Sequence, residues 1–460
     1  MNAFRAALVL WLAAVVWEKR RLLPQQLGYP LLAFLGLTGL SSAFSTDPFL
    51  SWGRMRTIEL FVLAILIGQV VRTVRQVKIL VGLLVGSCVL TVLYTGWQYT
   101  AGIGVRAVGP PAIATALQRF GLGPADIIDQ ADGRRIRSGP ELLQGLGLAG
   151  ARNIPIRVQR ETPNGLQAIS VNVPSKSLAR VLQSPGVALV RAHPPRAQGF
   201  FRHYFPYSEL LVLVALLCWG LALCGSGHSL YRLSLFGAFF AIAAAIVLTL
   251  TRVSFVSLVA GTLIISLTRL SRRTMWVNLV ALGLIAAGTL FWIQRYRAIS
   301  LDTSDPGTQY RLQIWRDSLP LIRAHPLLGV GLDSVAGDWQ RWNLAAYRRF
   351  PLHSHFHSTP IQIAVECGLP ALVAWIWLIA AYFVFLVKVN KSTAADDWFS
   401  KGLILGVLGG LIAFVLTGFL QYNLGDAEAM VVFCLCMGLA FAMARKVDVS
   451  PQTQTQALVN

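Results

Sequence analysis

Three histidines fall within five residues, His353-Ser354-His355-Phe356-His357, directly against an apolar run that begins at Thr359. Histidine changes charge near neutral pH and can act as a general acid or base. The chain also holds 33 arginines against 7 lysines, many of them in two long polar stretches. A guanidinium is a permanent fork of donors that matches phosphate oxygens. Both residue types gathered at a water–membrane boundary point to chemistry on a phosphorylated, lipid-linked substrate. His357 lies nearest the apolar run and is the candidate general base. The plain alternative is an interfacial histidine, and His353 and His355 are read as orienting or solvated.

The elements that position these groups must lie in a membrane. Hydrophobic residues make up 55% of the 460 and charged residues 13%, and the mean hydropathy is +0.60. Such a chain buries its apolar surface in lipid, in spans of about 20 residues. The net charge of +20 is scattered between hydrophobic segments, which suits lipid headgroups and anionic substrates and argues against nucleic acid. Cysteines 88, 218, 224, 367, 434 and 436 lie in or beside apolar runs, with neither metal-ligand spacing nor a disulfide framework. The first apolar run ends in Glu18-Lys19-Arg20-Arg21 rather than small residues, so no cleavable signal peptide is expected.

Eleven spans are expected, roughly 3–17, 30–46, 57–71, 78–98, 207–224, 233–250, 253–268, 275–293, 360–387, 402–420 and 427–443. The fold class is an all-α polytopic membrane protein of about 11–12 transmembrane helices. Short basic loops at 18–21, 72–78, 232, 269–273, 388–401 and 445–446 alternate on one side, the cytoplasmic one by the positive-inside rule. Residues 99–206 and 294–359 then fall outside. Arg252 splits the apolar stretch 233–268, whose two ends are both basic. The chain must turn at Thr251-Arg252 and leave the guanidinium at the external interface. There it is an anion ligand, as ionisable residues amid spans tend to be, or a headgroup anchor. The expected organisation is 1–98 N-terminal spans, 99–190 insert, 191–293 central spans, 294–359 catalytic loop, 360–446 C-terminal spans and 447–460 cytoplasmic tail.

The insert reads as a small α+β module. Gly102-Ile103-Gly104-Val105 opens it, and Gly121 to Ile128 and the turn Asp132-Gly133 follow. A helix is expected over 138–148, then strands over 154–159 and 166–173 joined by Pro163-Asn164-Gly165. This order resembles a PDZ domain of the bacterial protease-associated type. The resemblance implies that Gly102, Ile103, Gly104 and Val105 form a carboxylate-binding loop for a C-terminal peptide, which adds a strand to the sheet edge. A PDZ-shaped spacer with no ligand is the alternative.

The rest of the chain resembles the O-antigen ligase and polymerase superfamily of bacterial membrane glycosyltransferases. The residues that carry the likeness are Ser41 to Pro48 with Ser51-Trp52, Arg196-Ala197-Gln198-Gly199-Phe200 and Thr251-Arg252-Val253-Ser254. Arg311, Trp315-Arg316 and His325 to Gly331 follow, then His355-x-His357, Gln362, Glu366 and Gly368. Ser358 replaces the family's usual Asn. Outside the insert the likeness covers most of the chain. It implies a fold of the GT-C type, with His357 as base and His355, Gln362 and Glu366 in support. Arg196, Arg252, Arg311 and Arg316 would bind pyrophosphate.

The expected activity is transfer of a glycan from undecaprenyl pyrophosphate to an acceptor on the periplasmic face of the inner membrane, foremost lipid A–core. A general base at neutral pH suits the acceptor hydroxyl, and arginines suit the departing pyrophosphate. Asp302, Asp305, Asp317 and Asp333 show no tight metal-binding spacing, so neither metal nor cofactor is expected. Partners are the lipid-linked glycan, its glycan or protein acceptor, membrane lipids and a peptide at the insert. Rivals are a polymerase, a protein O-glycosyltransferase and a lipid-linked glycan transporter. Transporters place ionisable groups near the bilayer midplane and often show internal repeats, neither of which is found here.

Overall fold

The computed structural model describes residues 25–162, 165–225, 229–269, 306–350 and 355–457, with scattered positions between 273 and 291. The expected span 3–17, most of 275–293, and His353 lie outside the described residues. Helices α1 (Gln25–Ala43), α2 (Pro48–Glu59), α3 (Phe61–Val70) and α4 (Val74–Ala101) come first, and α8 (Tyr204–Cys224), α9 (Ser229–Leu248) and α10 (Arg252–Arg269) follow the insert. Beyond them lie α11 (Pro306–Ala324), the short turns α12 (Ser334–Gly337), α13 (Trp339–Trp342) and α14 (Ala345–Arg349), then α15 (Thr359–Glu366), α16 (Gly368–Ser392), α17 (Trp398–Gly418) and α18 (Ala427–Ala457).

Among the described residues seven helices are long and apolar enough to cross a membrane: α4, α8, α9, α10, α16, α17 and α18. This is a multi-pass membrane protein. Three expected spans differ. The stretch 30–46 lies mostly in α1, which is not among these seven. The stretch 57–71 falls across α2 and α3, with Leu60 between them in helical φ and ψ. The stretch 360–387 divides at Gly368, whose φ of 86° no continuing helix can adopt. The two-turn α15 next to the histidines is therefore separate from the spanning α16.

The chain forms two units. The first takes the residues up to Gly86, Glu209–Ala243 and those from Arg252 onward. Its helices approach closely where side chains are small: a Cβ on Gly220 of α8 would lie 2.6 Å from the Gly406 nitrogen of α17. Trp219 Nε1 donates across α8 and α10 to Ser266 at 3.1 Å.

The second unit, Ser87–Ser208 with Ala244–Thr251, contains the insert. Its strands are β1 (Gly104–Val108), β2 (Ile127–Ala131), β3 (Arg134–Arg135), β4 (Asn153–Thr162), β5 (Gly165–Pro174) and β6 (Ala188–Ala192). Helices α5 (Pro111–Gln118), α6 (Gly139–Ala149) and α7 (Ser175–Leu182) lie between them in sequence. The sheet runs β5-β4-β2-β1-β6, with β3 paired to β2. Alternate residues Val105, Ile156, Val158 and Val173 bury one face against Leu142, Leu146 and Leu178 of the helices. The expected hairpin is present, β4 and β5 pairing from Asn153↔Pro174 to Thr162↔Gly165. Ser138 caps α6, and Arg157–Asp129 and Arg160–Asp126 tie β4 to the β2 region at 2.7 and 2.6 Å.

Two expectations about the insert change. It does not end at 190, because β6 continues to Ala192 and pairs with β1 along its whole length. The stretch Gly102, Ile103, Gly104, Val105 is not a free carboxylate-binding loop: the Gly102 amide donates to Gln98 and the Ile103 amide to Ala192. Gly104 and Val105 sit in an interior strand flanked by β2 and β6, so β6 occupies the place an added peptide strand would need.

Candidate functional site

His357 reaches its position through a backbone that few residues adopt, with φ +48°. Only glycine and a few polar residues enter this left-handed region readily. The neighbouring contacts hold it there. The Phe356 amide donates to Gln362 Oε1 at 2.7 Å, and the Phe356 carbonyl accepts from Trp315 Nε1 of α11 at 2.8 Å. Phe356 is fully buried and serves as the anchor of the histidine turn.

The imidazole has aromatic neighbours on two sides. The His355 ring centroid lies 4.2 Å away and the Tyr310 ring packs edge-on at 5.6 Å. His357 Nδ1 lies 2.9 Å from Gln421 Oε1, and the His357 amide donates to His355 Nδ1 at 3.1 Å. Arg311 follows Tyr310 on α11 and is half-buried, while Arg316 follows Trp315 and is exposed. The structure thus brings His355, His357 and Gln362 together and sets the Arg311-bearing helix against them.

Glu366 has a different place from the one its motif suggests. Its Oε1 accepts the Asp333 amide at 2.8 Å. The Glu366 carbonyl accepts from Ser41 at 2.7 Å and from the Gly331 amide at 2.9 Å. Asp333 is in turn paired with Arg54 at 2.7 Å, and Ser51 Oγ donates to the Leu332 carbonyl at 2.9 Å. Hydrogen bonds therefore tie Glu366 through Asp333 to α2, while Gln362, one turn earlier on α15, holds the histidine turn. Asp317 also builds the loop, accepting from Gln313 and from the Ala346 amide.

Burial raises the Glu366 carboxyl from its usual 4.5 to about 8. The folded protein then holds this proton more tightly than the unfolded chain does. Its stabilising contribution is complete below about pH 4.5 and is lost as pH rises through about 8. Glu366→Gln keeps a carbonyl for the Asp333 amide and cannot ionise. Thermal unfolding in detergent should show the wild type losing more stability than this variant between about pH 5 and about pH 9. Equal slopes would mean that Glu366 is ionised in the folded protein.

Arg252 opens α10 two residues after Leu250, whose φ is +56°. The helix breaks beside the expected Thr251-Arg252. Arg196 belongs to the second unit, where its guanidinium lies 4.0 Å over the Tyr204 ring. The residues that sequence reasoning missed are Gln421, Thr359, Asn423, Tyr310 and Arg54. A signal existed for the first: Gln421-Tyr422-Asn423 is a polar triplet between two apolar runs.

Residues 237–376 match the family model described as O-antigen ligase. The chain is 26% identical over 182 residues to a Rickettsia conorii protein named "Putative polysaccharide ligase", a match covering 37% of this chain and 42% of that protein. It is 29% identical over 135 residues to the O-antigen ligase of Pseudomonas aeruginosa, covering 29% of this chain and 31% of that protein. The chain thus spans less than half the length of these relatives. The family match contains Arg252, Arg311, Arg316, His355, His357, Gln362 and Glu366, while Arg196 and the turn at 41–52 lie outside it.

Proposed function

We propose that this membrane protein, whose residues 237–376 match the family model described as O-antigen ligase, transfers a glycan from undecaprenyl pyrophosphate to lipid A–core. The transfer takes place at the periplasmic face of the bacterial inner membrane. The observation that carries this reading is His357, held in a left-handed backbone beside the arginine-bearing helix α11. His357 takes the proton of the acceptor hydroxyl. That oxygen forms the new bond to the sugar's anomeric carbon as the bond to the diphosphate oxygen breaks. The departing undecaprenyl pyrophosphate keeps the electron pair, and Arg252, Arg311 and Arg316 neutralise its charge. Arg196 carries the same expectation from its Arg-x-x-Gly-Phe motif. With arginines in this role the reaction runs without a metal ion.

The test is transfer by the purified full chain, given undecaprenyl-pyrophosphate-linked glycan and lipid A–core, with and without EDTA. Transfer in EDTA is expected. Extension of the glycan on its carrier with no transfer to lipid A–core would identify a polymerase, and a requirement for magnesium would return the reaction to metal chemistry. Arg252→Lys should weaken donor binding about tenfold or more, the effect of losing one charge-assisted hydrogen bond of roughly 1.5 kcal/mol. Unchanged donor affinity would leave Arg252 a headgroup anchor.

A further inference from the structure

We infer that Gln421 is a positioning residue for His357: its side-chain carbonyl selects the imidazole tautomer protonated at Nδ1 and so leaves Nε2 as the proton-accepting nitrogen. The inference rests on the proposed role of His357 as base. A Gln Oε1 can only accept hydrogen bonds. At 2.9 Å from His357 Nδ1, it requires the hydrogen to be on that nitrogen. Which nitrogen of a histidine carries the proton is set by the hydrogen bond its ring makes, and here that bond runs from Nδ1 to the Gln421 carbonyl oxygen.

The placement is built from both sides. Gln421 is 2% exposed, in the turn between α17 and α18. Its backbone carbonyl accepts from the Thr359 amide at 3.1 Å and from the Thr359 hydroxyl at 3.0 Å. The same hydroxyl lies 2.8 Å from Asn423 Oδ1, and Asn423 Nδ2 donates to the Phe414 carbonyl at 2.7 Å. Thr359 opens α15 two residues after His357. The turn that carries the orienting amide is therefore fastened to the same short helix that the histidine turn leads into. Among the described residues, His355 and Tyr310 are titratable groups packed on the imidazole, with Tyr422 beyond His355 at 5.7 Å.

The chemistry balances with a neutral partner. The acceptor hydroxyl gives its proton to Nε2, its oxygen replaces the diphosphate oxygen on the anomeric carbon, and the imidazolium later releases the proton to water. Gln421 never exchanges a proton; it fixes the ring so that Nε2 is unprotonated at the start. A carboxylate at this position would hold the same tautomer and also favour the imidazolium, raising the pH at which the base becomes available.

The test reads tautomer and kinetics together on the full chain in detergent. With 15N-labelled histidine, the wild-type His357 resonance, assigned by its loss in His357→Asn, should be that of the Nδ1–H form. Gln421→Leu should shift it toward a mixture, and with the lipid-linked donor above it should lower kcat roughly tenfold to a hundredfold with KM for donor unchanged. Gln421→Glu should restore the Nδ1–H form and move the acid limb of the rate profile to higher pH. A wild-type Nε2–H tautomer overturns the inference, and needs only the His357→Asn variant for its assignment. So does Gln421→Leu with wild-type kcat. If His357→Ala is inactive while Gln421→Leu is normal, the base assignment stands and the inference alone fails. Normal turnover by His357→Ala removes the base reading itself.

Discussion

His357→Ala should lower glycan transfer by roughly 10²–10⁴-fold, the usual contribution of a positioned general base. Binding of the lipid-linked donor should be nearly unchanged, because the base acts on the acceptor hydroxyl. Folding should also survive. The buried anchor of the turn is Phe356, held by Gln362 and Trp315, and alanine removes none of those bonds. The left-handed φ of His357 is tolerated by alanine at a cost of about 1–2 kcal/mol. His357→Gly, which adopts that backbone freely, separates this cost from the loss of the imidazole. Both variants should be equally slow in turnover and differ only in thermal stability. A glycine variant that turns over at the wild-type rate would remove the imidazole from the mechanism.

Gly331→Val should have the largest structural effect of any single change in the loop. Gly331 has φ +100°, outside the region that side chains accept, and a Cβ there would run into Ser45 and Ser51 of the turn before and within α2. Strain of this kind costs about 1–3 kcal/mol before the overlap is counted. The Gly331 amide also donates to the Glu366 carbonyl, so the displaced loop would lose its hold on α15, the short helix that the histidine turn leads into. Thermal stability and transfer should fall together. Gly145→Ala supplies the control, since nothing lies within 4 Å of its Cβ and its place inside α6 predicts a gain of about 0.5–1 kcal/mol. Wild-type stability for Gly331→Val would mean that the loop is not docked on Ser45.

The residues brought together at His357 were legible as types and spacings, but their bonds were not. Gln362 and Glu366 lie four apart, which places them on one face of a helix. Nothing in that spacing says that Gln362 holds the Phe356 amide while Glu366 holds the Asp333 amide on another segment. The early motif at Ser41–Trp52 carried the family likeness without an assigned role. The structure gives Ser41 and Ser51 hydrogen bonds to the backbone of Glu366 and Leu332 instead. Most spans were readable where one apolar run made one helix, α1 with its Gln25-Gln26 start and internal Pro30 being an exception. Two other departures fell at Leu60, where no Pro or Gly marks the change, and at Gly368, where a glycine was visible but its positive φ was not. The β4–β5 hairpin announced itself through its turn. The pairing of β1 with β6 could not, because contacts between distant segments have no local sequence signal.

That same pairing has a consequence for how the protein came to be assembled. Gly104 lies opposite Ala192, so the chain enters and leaves the sheet at one place. Joining two ends that are already neighbours requires little further restriction of the host chain, and closure entropy grows only slowly with what is spliced between them. A compact body attached in this way can be acquired, exchanged or lost by recombination without changing the length or order of the hydrophobic segments on either side.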